Sequence, residues 1–196
     1  MKYDPNFPKI PAASIALEDV HYLYKMQLKG QKTTIFLQME NEHFPLTTSR
    51  NAIGELKGRE KPDELVIVSG HVDNWDVGQG AMDDGGGVMI SVEALSMLKD
   101  MNLIPRRSLQ AILWAAEETD LSGIGNYVKQ HIDEFGTERY NAAFESDHGT
   151  FAPRGLEFAG SEEASCIVRE VLRLQQDRLN LTYFERLPSA GPDIEQ

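Results

Sequence analysis

A chain of 196 residues, 41% hydrophobic and 26% charged, is long enough for one domain with a core and ordinary for a soluble globular protein. Its formal net charge of −12 argues against nucleic-acid binding, which needs clustered Lys and Arg, and reads mainly as a solvated acidic surface. A single cysteine rules out an intrachain disulfide, and no run approaches the roughly 18 apolar residues needed to cross a bilayer.

The start, Tyr3 to Pro11, carries three prolines and reads as extended. Leu17 to Leu28 reads as a helix, with Val20, Leu23, Tyr24 and Leu28 at helical spacing and Glu18 and Asp19 in the first turn. Thr33 to Met39 is rich in β-branched and aromatic residues and predicts a strand. A second strand is predicted near Ala52 to Leu56, followed by a charged turn from Lys57 to Asp63. Leu65 to Val68 is a continuous apolar run, as expected for a strand buried on both faces.

Gly85 to Asp100 predicts a helix capped by Asp84, with Val88, Val92, Leu95, Met97 and Leu98 as its apolar positions. Leu109 to Ala116 predicts a buried strand, Ser122 to Ile132 a helix, Tyr140 to Phe144 a strand, Glu162 to Gln175 a helix and Leu181 to Phe184 a strand. Cys166, within the run Ala164, Ile167, Val168 and Val171, reads as a buried structural thiol. The alternation of strands and helices from about residue 64 onward predicts an α/β fold with a mostly parallel central sheet flanked by helices. The best join between subregions lies near residues 50 to 63.

In open α/β sheets, sites form beyond the carboxyl ends of the strands. Three predicted strands end in polar groups: His71-Val72-Asp73, Glu117-Glu118 and Glu145-Ser146-Asp147. A fourth cluster, Asp83-Asp84-Gly85-Gly86-Gly87, opens a helix. Each is bland when taken singly: a hydrogen-bonded histidine, surface acids, or a turn with a helix cap. Together they gather carboxylates that would repel one another without a cation. One imidazole with several carboxylates suits zinc, and manganese or cobalt would also fit. Asp73 is assigned to accept the free imidazole N–H of His71, with a loop cap as the alternative. Of the adjacent Glu117 and Glu118, one can hold metal while the other serves as general base. Gly78, Gly80 and the Gly85 to Gly87 run match neither a P-loop nor a Gly-x-Gly-x-x-Gly turn, and read as sites of close backbone packing.

These segments, with Trp114-Ala115-Ala116-Glu117-Glu118 and Gly80-Ala81-Met82-Asp83-Asp84, resemble the zinc aminopeptidase and glutamate carboxypeptidase superfamily. The likeness runs over nearly the whole chain. The resemblance implies a co-catalytic dizinc metallo-exopeptidase acting on dipeptides or short peptides, of carboxypeptidase or dipeptidase type. His71, Asp83, Glu118 and Asp147 would hold two zinc ions, with Asp83 bridging and its peptide bond to Asp84 cis. Glu117 would activate the bridging water. An aminopeptidase on the same scaffold is the rival within that class, and a catalytically inactive binding module is the rival outside it.

The resemblance also calls for a second histidine ligand downstream of Asp147. The five histidines are His21, His43, His71, His131 and His148; none occupies that place, and His148 is the weak substitute. The expectation is therefore a fragment of a longer secreted or lysosomal enzyme, without a signal peptide at its start. Residues 1–48 would be the tail of a smaller inserted domain and 49–196 a partial catalytic domain. Asn180-Leu181-Thr182 fits a glycosylation sequon. Such a protein would take peptide substrates, bind no nucleic acid and have no membrane span, with a homodimer of the full-length form left open.

Overall fold

The computed structural model describes residues 6–40, 42, 44–147 and 149–188. His148 and the closing stretch Ser189 to Gln196 lie outside the described residues. The chain divides into two compact units, Met1–Thr47 and Thr48–Gln196.

In the first unit one helix forms, α1 (Leu17–Leu28), with the bounds its spacing predicts. Glu18 and Asp19 lie in its first turn and Gly30, at φ 70°, follows its end. None of its residues is buried. The strand expected over Thr33 to Met39 does not form, and Ile35 and Phe36 stand exposed. Strand propensity reflects fit to a neighbouring strand, and the described residues of this unit contain none.

The second unit holds a four-stranded sheet in the order β1-β3-β2-β4. Its strands are β1 (Ala52–Leu56), β2 (Lys61–His71), β3 (Arg107–Trp114) and β4 (Tyr140–Glu145). β2 runs parallel to both β3 and β4, and β1 pairs antiparallel with β3, so the sheet is mostly parallel as expected. β2 starts earlier than its apolar run. Lys61 pairs with Arg107 across a register shift before Leu65, and the charged side chains project from the strand's outer end.

Helix α2 (Gly85–Asp100) covers one sheet face and α4 (Ser122–Phe135) the other. On the α4 side Ile67, Ile112, Trp114, Ile124 and Tyr127 form the core. The buried stripe of α2 is Gly87, Ser91 and Leu95, whereas Val92 and Met97 are exposed. The small residues let α2 approach the sheet closely. A Cβ on Gly70 of β2 would overlap the Asp84 carboxylate and stand 2.8 Å from the Val88 nitrogen. Val66 and Val68 of β2 are correspondingly half-buried, not fully enclosed.

Beyond β4, β5 (Gly155–Phe158) and β6 (Tyr183–Arg186) pair in parallel, joined by helix α5 (Glu162–Leu179). β5 lacked a periodic signal, being four residues long. Cys166 is exposed, contrary to expectation. The buried residue of α5 is its neighbour Ser165, and the aliphatic stripe Ile167, Val171 and Leu174 faces outward. Among the described residues no helix is long and apolar enough to cross a membrane.

Candidate metal centre

Because β2, β3 and β4 are parallel, their carboxyl ends share one edge of the sheet. His71 is the last residue of β2 and lies opposite Trp114 in register. Glu117 and Glu118 follow β3 in a single helical turn, α3 (Glu117–Asp120). Asp147 follows the end of β4 by two residues, and Asp83 precedes α2.

The His71 side chain is 1% exposed and its Nε2 points into a ring of carboxylates. Asp83 Oδ1 lies 3.0 Å away, Asp147 Oδ1 3.2 Å and Glu117 Oε2 3.9 Å. The other nitrogen, Nδ1, lies 3.0 Å from the Asp73 carbonyl and 3.7 Å from its carboxylate. The imidazole N–H thus goes to the backbone of Asp73 and not to its side chain, a correction to the role read from the spacing. The Asp73 carboxylate instead accepts the backbone N–H groups of Glu117 (3.0 Å) and Glu118 (3.2 Å). It ties β2 to the turn that carries the two glutamates, the cap-like role that was the alternative.

With Nδ1–H bound to a carbonyl, Nε2 faces carboxylate oxygens with a lone pair of its own. Only a cation or a proton at Nε2 makes that arrangement favourable. Burial alone would push the imidazole pKa down. The Asp147 carboxylate, the Asp73 carbonyl, Asp83 and Glu117 push it up and prevail, raising it from 6.5 to about 9.

Asp84, 1% exposed, is spent on structure. One carboxylate oxygen accepts the His71 N–H at 3.1 Å and the other the Gly87 N–H at 2.8 Å, so it caps α2 and anchors the end of β2. Burial pushes its pKa up to about 6, against the pull of those two N–H groups. The Asp83–Asp84 peptide is cis, as the family resemblance implied. A Cβ on Gly87 would overlap the Ser146 carbonyl and the Asp84 carboxylate, so the glycine run permits the close packing expected of it.

The residues therefore fit a metal. Ligand atoms of His71, Asp83 and Glu118 all lie within 4.8 Å of one another, and so do those of His71, Asp84 and Asp147. Glu118 Oε1 is buried without a hydrogen-bond partner, and burial followed by the Asp83 charge raises that carboxyl's pKa. A buried carboxylate oxygen that no donor satisfies is what a cation would satisfy. Asp84 is the poorest candidate in the second group, since both its oxygens already accept backbone N–H groups. Asn51 carried no signal in the sequence, yet its side chain bonds to Ala115 and Gly123 on either side of the Glu117–Glu118 turn.

Comparison with known proteins gives a consistent picture. Carboxypeptidase Q of Mus musculus is 46% identical over 181 residues, which make up 92% of this chain and 38% of the relative. The chain thus spans less than half the length of the curated relatives it matches. The crystal structure of a peptidase M28 precursor from Shewanella amazonensis SB2B superposes with a TM-score of 0.83 at 32% identity, covering 98% of this chain and 43% of that one. BSAP, a zinc aminopeptidase from Bacillus subtilis, shares the fold at a TM-score of 0.55 and 24% identity over 74% of this chain and 35% of its own. The model of peptidase family M28 matches residues 51–191, the stretch that contains all the strand ends described above, and the chain belongs to that family.

Proposed function

We propose that this chain carries the greater part of the catalytic centre of a co-catalytic dizinc exopeptidase that hydrolyses dipeptides or short peptides. One observation carries the reading: Asp83 and Asp147 converge at 3.0 and 3.2 Å on a buried imidazole nitrogen, beside a buried glutamate oxygen with no donor. The 46% identity to carboxypeptidase Q supports the carboxypeptidase or dipeptidase type.

On this reading His71, Asp83 and Asp147 would hold one zinc, and Asp83 and Glu118 would serve the second. When bound, the zinc pair supplies a Lewis acid for the scissile carbonyl and lowers the pKa of water. Glu117 remains for proton transfer. Its carboxylate, 11% exposed, takes a proton from the attacking water and delivers it to the leaving amine. Asp73 holds the Glu117 and Glu118 backbones in register with β2. Asp84 fixes the position of His71 from behind.

A second reading, an inactive module retaining the fold, has its own observation. Of the imidazoles described in the second unit, His131 is engaged with the Tyr127 carbonyl at 3.0 Å and stacked on the Tyr127 ring, which leaves His71 alone at the site. Zinc bound per folded chain after exhaustive dialysis, followed by dipeptide hydrolysis, separates the two. Near two zincs with turnover would mean that the ligand set is complete. Near one without turnover would mean an incomplete site on a genuine peptidase scaffold, and none in a folded sample ends the metal assignment and leaves the inactive module.

We assign the full-length protein to the secretory pathway and residues 1–48 to a smaller inserted domain. Support for the first is the exposed Asn180 of the sequon, at the end of α5. Secretion of a product whose glycan is lost on Asn180→Gln checks it; retention of unglycosylated protein in the cytosol would contradict it.

A further inference from the structure

The turn that presents Glu117 and Glu118 is bracketed by two non-glycine residues in the left-handed region, Ala116 at φ 60° and Leu121 at φ 57°. Such conformations persist only where the surroundings hold them. From the β2 side the Asp73 carboxylate holds the turn through the N–H groups of Glu117 and Glu118. From the opposite flank a single side chain holds both of its ends. Asn51 Oδ1 accepts the Ala115 N–H at 3.0 Å, just before Ala116. Asn51 Nδ2 donates to the Gly123 carbonyl at 2.8 Å, just after Leu121 and Ser122. Gly123 permits this approach, because a Cβ there would overlap the Ala115 carbonyl and stand 2.6 Å from Asn51 Oδ1. Asn51 in turn immediately precedes β1, whose first residue, Ala52, is in register with Leu113 of β3. The clamp is therefore fixed to the sheet, not to another loop.

We propose that Asn51 is a positioning residue: it closes the Ala115–Gly123 segment into the one conformation that presents Glu118 to metal and Glu117 to the reacting water. This rests on the metallopeptidase reading above. The amide is suited to the task because one planar group supplies both an acceptor for the Ala115 N–H, just past the end of β3, and a donor for the Gly123 carbonyl in the first turn of α4. Asn51 touches neither substrate nor metal and acts through the two glutamates.

The test is Zn2+ affinity of the folded chain, by competition with a chromophoric chelator, for wild type, Asn51→Ala, Glu118→Gln and the double variant. Loss of a group that orients ligands costs about tenfold in metal affinity. Asn51→Ala is expected to lose about that factor, and the double variant to bind no more weakly than Glu118→Gln alone. Ser108→Ala is the matched control: Ser108 is fully buried, accepts the Gly58 N–H and donates to the Pro62 carbonyl at the far end of the sheet. It should lower the melting temperature and leave Zn2+ affinity unchanged. Should Asn51→Ala not fold, Asn51→Asp keeps the acceptor, removes the donor and is expected to show an intermediate loss. A lowered melting temperature with unchanged Zn2+ affinity makes Asn51 merely structural and overturns the proposal. So does a loss that adds in full to that of Glu118→Gln. Wild type that folds and binds no Zn2+ instead sinks the metallopeptidase reading, and the proposal with it.

Discussion

The two ends of the central sheet are built on opposite electrostatic plans. At the end where β2 begins, acids meet cations. Glu64 accepts from Lys61 and from Arg107 at 2.6 Å each, and Glu60 pairs with Arg106 at 2.7 Å and Arg59 at 3.1 Å. There the Lys61 and Arg107 bonds hold the Glu64 pKa below its ordinary value. At the end where β2 finishes, the charged groups are acids gathered around one imidazole, and the pKa values of His71, Asp84 and Glu118 are all raised. The first arrangement is self-sufficient. The second is left short of positive charge, and left-handed Ala116 and Leu121 flank the turn that carries two of its acids. One end stabilises the sheet, and the other is arranged for an ion that the sheet itself does not supply.

The largest effect should come from a group at the acidic end that the ion does not need. Glu117→Gln keeps shape and removes the proposed base. Dipeptide turnover by the active full-length protein should fall about a thousandfold. Zinc per chain, measured by elemental analysis, should not change. A variant that retains turnover would move the base elsewhere.

Next comes pH, on the metal-free protein. His71 has a folded pKa of about 9 against 6.5 unfolded, so its contribution is fully present below 6.5 and is lost as pH rises through about 9. The shift corresponds to about 3 kcal/mol. Asp84, raised from 3.8 to about 6, acts with the same sign lower down: its contribution is present below 3.8 and lost as pH rises through about 6. Metal-free stability should therefore fall from acid to base. Zinc must displace the Nε2 proton, so zinc binding should release protons and remove the alkaline decline. Urea unfolding with and without chelator at about pH 6 and about pH 9.5 reads the His71 contribution, and metal-free unfolding at about pH 3.5 adds that of Asp84. Equal metal-free stabilities at the two higher values would mean that Nε2 is not held in a carboxylate ring.

Asp84→Ala should cost less, about 2 kcal/mol. The change strips the acceptor from the buried N–H of His71 and from the cap of α2 at once. Denaturant midpoints measure the loss. Asp84→Asn, which keeps one acceptor, should fall between wild type and Ala.

Much of this contrast was legible in the sequence, because the groups concerned sit at the ends of strands and strands were legible as apolar runs. His71, Glu118 and Asp147 each lie within three residues of the end of such a run, and the parallel order implied by alternating elements brings their ends together. The bounds of α1 and α2 could be read from helical spacing and, for α2, from a cap. Features set by distant partners could not be read. The two bonds of Asn51 reach 64 and 72 residues along the chain. The Asp73 carboxylate takes its hydrogen bonds from N–H groups 44 and 45 residues on, while staying 3.7 Å from the adjacent imidazole. Thr33 to Met39 has the composition of a strand but no described partner, and composition alone does not make one. Cys166 shows the limit of counting apolar neighbours: Ile167 and Val171, which suggested a buried run, are themselves exposed, and so is the cysteine.

The smallest effect should come from the paired end. Glu64→Gln removes two ion pairs whose partners are 43% and 34% exposed, and exposed pairs contribute little because water and salt already screen them. Its carboxylate, with a pKa below the ordinary value, contributes stability above that value and loses it as pH falls, the reverse of His71. The variant should melt slightly lower than wild type at low ionic strength, and the difference should close in about 1 M salt, where charges a few ångströms apart are screened. Zinc affinity should be untouched at any salt concentration. A change in zinc affinity on Glu64→Gln would show that the two ends communicate through β2, and the division of the sheet into a stabilising end and an ion-binding end would have to be abandoned.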